Sequence, residues 1–291
     1  MAATMLVTGG TGTIGSTLLN ILSLRGAPVR ALVRSPAGAE KVRSAGAEPA
    51  LGDFAQPDTL AAALSGIERA FLLSSPAEDQ VALQTAFIAA ASRAGVRYVV
   101  KLSVIGAADD ADMRLGRWHR EIERHLEDSG MAWTHLRPHS FMQNRLALAP
   151  VIARQGLLIA PAGEGAAPLV DTRDVAAVAA EILLGDDHQG AAYDVTGPEA
   201  LTHARMAEEL SLVLGRPVQY VNAPPEAARD AMIGMGLPPW LADDLIVINR
   251  QIADGKGGPV SDVVPRLTGH PGTTWAAFVA DHADVFREAS R

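Results

Sequence analysis

The chain has 291 residues, of which 48% are apolar, enough for one large core or two joined ones. A formal charge of −8 argues against a nucleic-acid surface, and the absence of cysteine excludes disulfides, thiolate catalysis and cysteine-ligated metals. No apolar run reaches the about 18 residues that cross a bilayer, and no basic signal head precedes Arg25. We therefore expect a cytoplasmic protein without nucleic-acid or membrane partners.

The first predicted element is a strand at residues 4–8 that leads into a glycine-rich turn. Residues 16–24 follow with leucine and isoleucine at helical spacing. Glycines in a strand-to-helix turn are typical of dinucleotide binding, because the turn and the helix N-terminus offer N–H groups to a pyrophosphate. Gly9 suits a tight turn, Gly12 a close approach of backbone to the phosphates, and Gly15 the packing of helix on strand. The predicted cofactor contacts here are Gly9, Thr11, Gly12, Thr13, Ile14 and Gly15.

The second predicted strand, residues 29–33, ends where dinucleotide folds contact the adenosine ribose. An acidic residue there bonds the 2′-hydroxyl of NAD(H), whereas arginine accommodates the 2′-phosphate of NADP(H). Arg34 holds this position, and no acidic residue does, so the sequence favours NADP(H). The alternative is that Arg34 is a solvated surface arginine.

Polar residues also follow the third and fourth predicted strands, at 49–51 and 70–73. Asp53 and Phe54 are candidates to meet the adenine through its amine and its face, with a local capping turn as the alternative. Ser74 and Ser75 lie at the carboxyl edge of the sheet, where cofactors bind. Their alternative role is to cap the next helix.

Strands and helices alternate up to about residue 140, which indicates an α/β fold with a Rossmann-type, doubly wound parallel sheet. Later strands are predicted at 98–103 and 133–136, and helices at 41–45, 59–64 with Asp58 as N-cap, 80–94, 117–127, 172–184, 203–214 and about 242–252. We expect residues 1–150, with returning segments at about 168–200, to bind NADP(H). Residues 150–291, mainly about 201–291, would form a smaller, mostly helical substrate-binding region. There Met232, Met235 and Trp240 either line an adaptable pocket or pack a helical subdomain.

With these motifs assembled, the chain resembles the NmrA-like family of atypical short-chain dehydrogenase/reductases, close to bacterial NADPH-dependent quinone and triphenylmethane-dye reductases. The resemblance spans nearly the whole chain. The segments that carry it are 8–15, 29–34, Gly52-Asp53, 72–76, Ser129-Gly130, Leu136-Arg-Pro-His-Ser-Phe-Met-Gln-Asn144, 171–175, 193–199 and 264–269.

The chain departs from extended members of this superfamily at their tyrosine and lysine. The alignment puts Leu115 at the tyrosine, which normally gives a proton to the developing alkoxide, and His119 at the lysine. The resemblance implies that Ser103 is the active-site serine. His119 is a candidate for the ribose contact or for proton transfer, and Lys101, on the same strand face as Ser103, is a rival ammonium that alternatively pairs with a core carboxylate.

Phe141, Met142 and Asn144 follow Arg137-Pro138, where the resemblance places the nicotinamide and the acceptor. For Phe141 and Met142 the alternative is packing on the smaller domain, and for Asn144 it is helix capping rather than a bond to the carboxamide. No spacing of histidines or carboxylates indicates metal catalysis, so we expect no metal.

Two functional classes remain open on the sequence. The first is an NADPH-dependent oxidoreductase that transfers hydride to a small apolar electrophile such as a quinone, a dye or an enone, without the usual Tyr-Lys pair. The second is an NADP(H)-sensing regulator of the NmrA type with little turnover. The chain is expected to act as a monomer or homodimer.

Overall fold

A computed structural model describes residues 4–288 of the chain. Its centre is a seven-stranded, all-parallel sheet in the order β3-β2-β1-β4-β5-β6-β9. The strands of this sheet are β1 Met5–Val7, β2 Val29–Val33, β3 Glu48–Leu51, β4 Arg69–Leu72, β5 Tyr98–Leu102, β6 Ala132–Pro138 and β9 Ala191–Val195. The chain leaves β1 toward β2 on one side and later returns to β4 on the other. This reversal of strand order creates the crevice in which ligands bind in doubly wound sheets.

Helices cover both faces of the sheet, as expected when parallel strands are joined by helical crossovers. These helices are α1 Thr13–Leu24, α2 Pro36–Ser44, α3 Leu60–Leu64, α4 Gln80–Arg93, α5 Arg114–Glu127 and α7 Thr172–Leu184. One core joins α1 and α7 to the sheet through Leu18, Leu22 and Val178. The opposite core joins α4 and α5 to it, for example through Phe87 and Ile122. Both faces of the central strands are therefore buried.

A second, smaller assembly follows β6. It contains α6 Ala149–Gln155, β7 Leu157–Ala160, β8 Ala166–Ala167, β10 Leu201–Thr202, α8 His203–Leu214, β11 Gln219–Asn222, α9 Pro225–Gly234, α10 Pro239–Ala253, α12 Trp275–Asp281 and α13 Ala283–Arg287. Helix α11 Val263–Thr268 instead packs on α7 and β9 as part of the main core. Its own core includes Trp275, Phe278 and Phe286, which contact one another through their rings. Because β9 and α7 pack back onto the main sheet, the chain crosses between the two assemblies more than once.

The predicted fold class is confirmed, and α7 and α8 have the predicted bounds. Several expected boundaries were wrong. Asp58 caps no α-helix but lies in a 3-10 turn, Pro57–Thr59, which begins at proline and directly precedes α3. The helix expected at 41–45 begins at Pro36, because Ser35 accepts a hydrogen bond from Gly38 and caps it. The helix α5 begins at Arg114, three residues early. Within residues 4–288 no helix is both long and apolar enough to span a bilayer.

Candidate functional site

The glycine turn between β1 and α1 has the geometry of a phosphate cradle. Gly9 has φ of +65°, which L-residues with a side chain rarely adopt. A Cβ on Gly15 would lie 2.2 Å from the Gly9 carbonyl oxygen, whereas one on Gly12 would meet its nearest protein atom only at 3.4 Å. Gly12 is the N-cap of α1 and provides no side-chain cap, so the amides of the first turn are left for a ligand.

Arg34 lies directly after β2, at the same edge of the sheet. Its side chain is exposed and, within the described part of the chain, forms no ion pair or hydrogen bond. Ser35 caps the next helix, and a Cβ on Gly38 there would lie 3.6 Å from the Thr11 methyl group. The first turn of α2 therefore adjoins the glycine turn, and Arg34 stands between β2 and that helix.

The loops after β3 and β4 are also at this edge. Asp53 accepts a hydrogen bond from the Ala55 amide at 3.0 Å, and Phe54 packs on Phe87 with ring centroids 5.0 Å apart. Ser74 accepts a bond from Gln84 of α4 at 2.9 Å. The helix is not capped by Ser74 or Ser75, because its N-cap is Asp79. Adenine contacts by these residues stay predictions.

Lys101 and His119 form a close pair at the carboxyl end of β5. The Lys101 side chain is fully buried, and its Nζ lies 2.7 Å from His119 Nδ1. Burial lowers the pKa of Lys101 to about 7, against the attraction of Glu123. Burial and the Lys101 charge hold the pKa of His119 well below its usual range. The proton thus resides on Lys101, which donates it to Nδ1 of a neutral imidazole. The alternative, that Lys101 pairs with a core carboxylate, holds only through space: the buried Glu123 attracts the ammonium, whereas its hydrogen bonds within residues 4–288 go to His119 and the Leu102 carbonyl.

Ser103 belongs to a second network beneath this pair. Its hydroxyl donates to Glu123 Oε1 at 2.7 Å, and Arg137 clamps the same carboxylate with bonds of 2.9 and 2.7 Å. Burial of Glu123 opposes ionisation, but the bonds from Arg137 and Ser103 lower the pKa of its carboxyl to about 2. The hydroxyl proton of Ser103 is therefore used in the hydrogen bond to Glu123.

Three residues of metal-binding types meet near this network. Glu123, Glu127 and His135 each bring a ligand atom within 4.8 Å of the others. Arg120 bonds both carboxylates, at 3.1 Å to Glu123 and at 2.7 and 3.0 Å to Glu127. With a guanidinium on each carboxylate, the cluster is an internal ion-pair network.

The small assembly is hydrogen-bonded to the N-terminus of α5, the helix that carries His119. The buried carboxylate of Asp244, on α10, accepts bonds from the amides of Arg114 at 2.9 Å and Leu115 at 2.7 Å. These are first-turn amides that lack intrahelical partners. Leu115, which aligns by sequence with the tyrosine of extended members of the superfamily, contributes its backbone to this contact.

An open cleft of about 660 Å³ separates the loop after β4 from the turn before α10. Pro76 and Trp240 line it from opposite sides. The Trp240 ring packs on Trp118, the neighbour of His119, at 5.1 Å between centroids. Met232 is partly buried on α9, and Met235 is 53% exposed. The Trp118–Trp240 contact thus connects the cleft to α5, the helix that carries His119.

Phe141, Met142 and Asn144, which follow β6, have different surroundings. Met142 is 2% exposed and packs in the core of the small assembly, which is the packing role that the sequence left open as an alternative. Phe141 is partly buried against the main core and pairs with Val170. Asn144 is exposed and caps no helix, since Phe141 and Leu148 hold the adjacent N-cap positions.

A family model described as the NmrA-like family matches residues 1–265. The chain belongs to this family. It is 42% identical over 285 residues to an NAD(P)H azoreductase of Xenophilus azovorans, covering 98% of this chain and all of that one. The structure of the NADPH-dependent quinone oxidoreductase of Escherichia coli, complexed with NADPH, superposes with a TM-score of 0.88 at 31% identity, over 96% of this chain and 99% of that one. A Citrobacter triphenylmethane reductase, at 23% identity, has the same fold with a TM-score of 0.85 over 95% and 99% of the two chains.

These relatives confirm the predicted family and the oxidoreductase class. Sequence reasoning missed Trp118, Glu123 and Asp244 as parts of the site. Glu123 follows His119 by one helical turn, a spacing that puts both on one face of α5 and offered a usable signal. The sequence carries no comparable signal for Asp244, because its contact with α5 spans 129 residues.

Proposed function

We propose that the protein reduces quinone-, azo- or dye-like acceptors with NADPH, and that Lys101 and His119 supply the proton. The observation that carries this proposal is the 2.7 Å contact between Lys101 Nζ and His119 Nδ1 at the carboxyl edge of the sheet. The names of two relatives, an NAD(P)H azoreductase and an NADPH-dependent quinone oxidoreductase, support the acceptor class.

The edge of the sheet fits a dinucleotide phosphate. Gly15 admits no side chain, Gly12 leaves open space above the turn, and the first amides of α1 point out of the helix. We assign the pyrophosphate to this turn and the 2′-phosphate to Arg34, whose guanidinium has no acidic partner among residues 4–288. We propose that Asp53 and Phe54 contact the adenine, and that Ser74 and Ser75 lie at the sheet edge beside the nicotinamide.

NADPH supplies a hydride when it is bound. The protein's own residues must then orient the acceptor and provide one proton, so that a quinone becomes a hydroquinone. Because the ammonium of Lys101 donates to Nδ1, the remaining imidazole proton lies on Nε2 of His119. This Nε2–H is the proposed donor to the acceptor or to the nicotinamide ribose. Lys101 replaces a lost proton through Nδ1.

Ser103 and Glu123 have a positioning role in this proposal. The carboxylate is fixed by Arg137 and Ser103 and attracts the Lys101 ammonium. It thus keeps part of the lysine protonated near neutral pH despite complete burial. The missing tyrosine is less important for these acceptors than for a ketone, because a quinone or a cationic dye yields a resonance-stabilised or neutral product.

Trp118 and Trp240, with Met232 and Met235 at the margin, are the proposed wall for a planar acceptor. The direct test is oxidation of NADPH by the purified protein without oxygen, with menadione, an azo dye and a triphenylmethane dye as separate acceptors. Stoichiometric oxidation with at least one acceptor is expected. No turnover with any of the three would contradict the reductase.

The alternative function is NADP(H) sensing, in which Leu115 marks the loss of ordinary catalysis. It predicts tight binding of NADPH or NADP⁺ together with a partner protein whose affinity depends on the redox state of the nucleotide. The pair of a buried lysine and a partly exposed histidine favours the reductase, because sensing alone requires no proton donor at the nicotinamide edge.

A further inference from the structure

Arg145 is an interior cation without an acidic partner in the described part of the chain. It lies in the 3-10 helix Met142–Leu148, which follows β6, the neighbour of the strand that carries Lys101. Its side chain is partly buried, and its Nε is fully buried and without a hydrogen-bond acceptor. By contrast, Arg137 is clamped to Glu123 and Arg173 to Asp171.

Among residues 4–288, the side chain that bonds Arg145 is a histidine. Its Nη2 lies 3.3 Å from Nε2 of His203, at the start of α8. Since a guanidinium only donates, His203 Nε2 accepts and carries no proton. Burial, reinforced by the Arg145 charge, lowers the pKa of His203 to about 3. His203 therefore orients the guanidinium without neutralising it.

A second histidine near Arg145 is neutral as well. His139 Nδ1 accepts from the Ser140 amide at 2.8 Å, and its Nε2 donates to the Gly257 carbonyl at 3.0 Å. Burial lowers the pKa of His139 to about 4, and the Arg145 charge acts in the same direction. Burial also lowers the pKa of Arg145 to about 10, so the guanidinium is charged at neutral pH. A positive charge without an acidic partner among residues 4–288 thus lies in the 3-10 helix that follows the carboxyl end of β6, at the same sheet edge as the end of β5.

We propose that Arg145 binds an oxyanion group of the acceptor, a carboxylate, sulfonate or phosphate, and so selects anionic aromatic acceptors over neutral ones. This inference rests on the proposed function for the identity of the ligand, but not for the existence of the site. A guanidinium recognises such groups through charge-assisted N–H bonds, and the bond to His203 engages only Nη2, which leaves Nη1 without a partner among residues 4–288. The bound anion provides the negative charge that no acidic side chain of residues 4–288 places beside Arg145.

The test is calorimetric binding of naphthalene-2-sulfonate, which accepts no hydride, to the NADP⁺-loaded protein. We expect Arg145→Met to weaken binding about tenfold or more and Arg145→Lys to weaken it several-fold, because lysine lacks the bidentate fork. Arg154→Met, which removes an exposed arginine with no hydrogen bond among residues 4–288, is the matched control and should bind as the wild type does. Binding of neutral 2-naphthalenemethanol should be unaffected by Arg145→Met.

Unchanged sulfonate binding in Arg145→Met would overturn the proposal, as would equal losses for the sulfonate and the neutral alcohol. If inorganic phosphate alone bound as tightly as the sulfonate, the site would be one for free anions, and its role in acceptor choice would be refuted. Should Arg145→Met fail to fold, Arg145→Lys decides by the same comparison. If no acceptor is reduced at all, the reductase proposal fails, whereas the calorimetry still decides whether Arg145 is an anion site.

Discussion

The proposed cofactor side of the site comes from one short stretch, residues 9–34, whereas the proposed acceptor side joins distant segments. The glycine turn and Arg34 are set by local backbone geometry around β1, α1 and β2. The acceptor side combines Lys101, His119 and Trp240, and Asp244 holds it together across 129 residues. Changes on the cofactor side should therefore abolish nucleotide binding directly, while changes on the acceptor side should alter rates or the docking of the small assembly.

The largest effect is expected at Gly15. In Gly15→Ala the new methyl carbon would start 2.2 Å from the Gly9 carbonyl oxygen, so the turn must open. We expect NADPH affinity to fall by more than about a hundredfold in fluorescence titrations, together with a lower melting temperature. Gly12→Ala is the control, because it has room within the protein and should weaken NADPH while leaving the melting temperature nearly unchanged. Equal behaviour of the two variants would show that the turn is not strained as described.

Arg34→Ala should give the next largest effect, and it tests the choice of nucleotide. Loss of charge-assisted bonds to a 2′-phosphate should raise the Kd for NADPH about 10- to 100-fold and leave that for NADH almost unchanged. Titration of both nucleotides against both proteins measures this difference. Equal losses for NADPH and NADH would refute the assignment of Arg34.

The buried Lys101 should leave a signature in the pH dependence of stability. The pKa of Lys101 is about 7 in the folded chain, against an ordinary value of 10.5. At pH values between these two, Lys101 is protonated mainly in the unfolded chain. The free energy of unfolding of the wild type, relative to Lys101→Met, should therefore rise with pH in this window, by on the order of a few kcal/mol. Urea unfolding of both proteins from pH 7 to pH 10 measures it. Parallel curves would mean that Lys101 keeps an ordinary pKa.

The smallest effect is expected at Asp244. Asp244→Ala removes two acceptors from the N-terminus of α5, a loss of about 0.5–2 kcal/mol for a helix cap. We expect a melting temperature lower by a few degrees and a lower kcat/KM at unchanged NADPH affinity. Asp243→Ala, the exposed neighbour that bonds Arg229, is the control and should change neither. A fall in NADPH affinity in Asp244→Ala would mean that the two sides of the cleft are not separable.

The same contrast explains what the sequence alone was able to predict. The glycine turn, Arg34 and most of the sheet follow from local periodicity and from residues a few positions apart. Lys101 was identified because a lysine inside a buried strand is unusual, but its partner required the three-dimensional structure. Met142 looked like a pocket residue because it follows a family motif. It packs instead in the core around Trp275, which only the folding of the last 20 residues brings beside it.

The most direct test of the account is a single turnover of NADPH with menadione, followed by stopped flow in wild type, Lys101→Met and Lys41→Met. Lys41 lies exposed on α2 and serves as the matched control. The proton relay predicts that hydride transfer slows about a hundredfold in Lys101→Met, with an unchanged Kd for NADPH, and that the wild-type rate falls as pH rises through about 7. A rate that is the same in Lys101→Met as in Lys41→Met, and flat across that pH range, would contradict it.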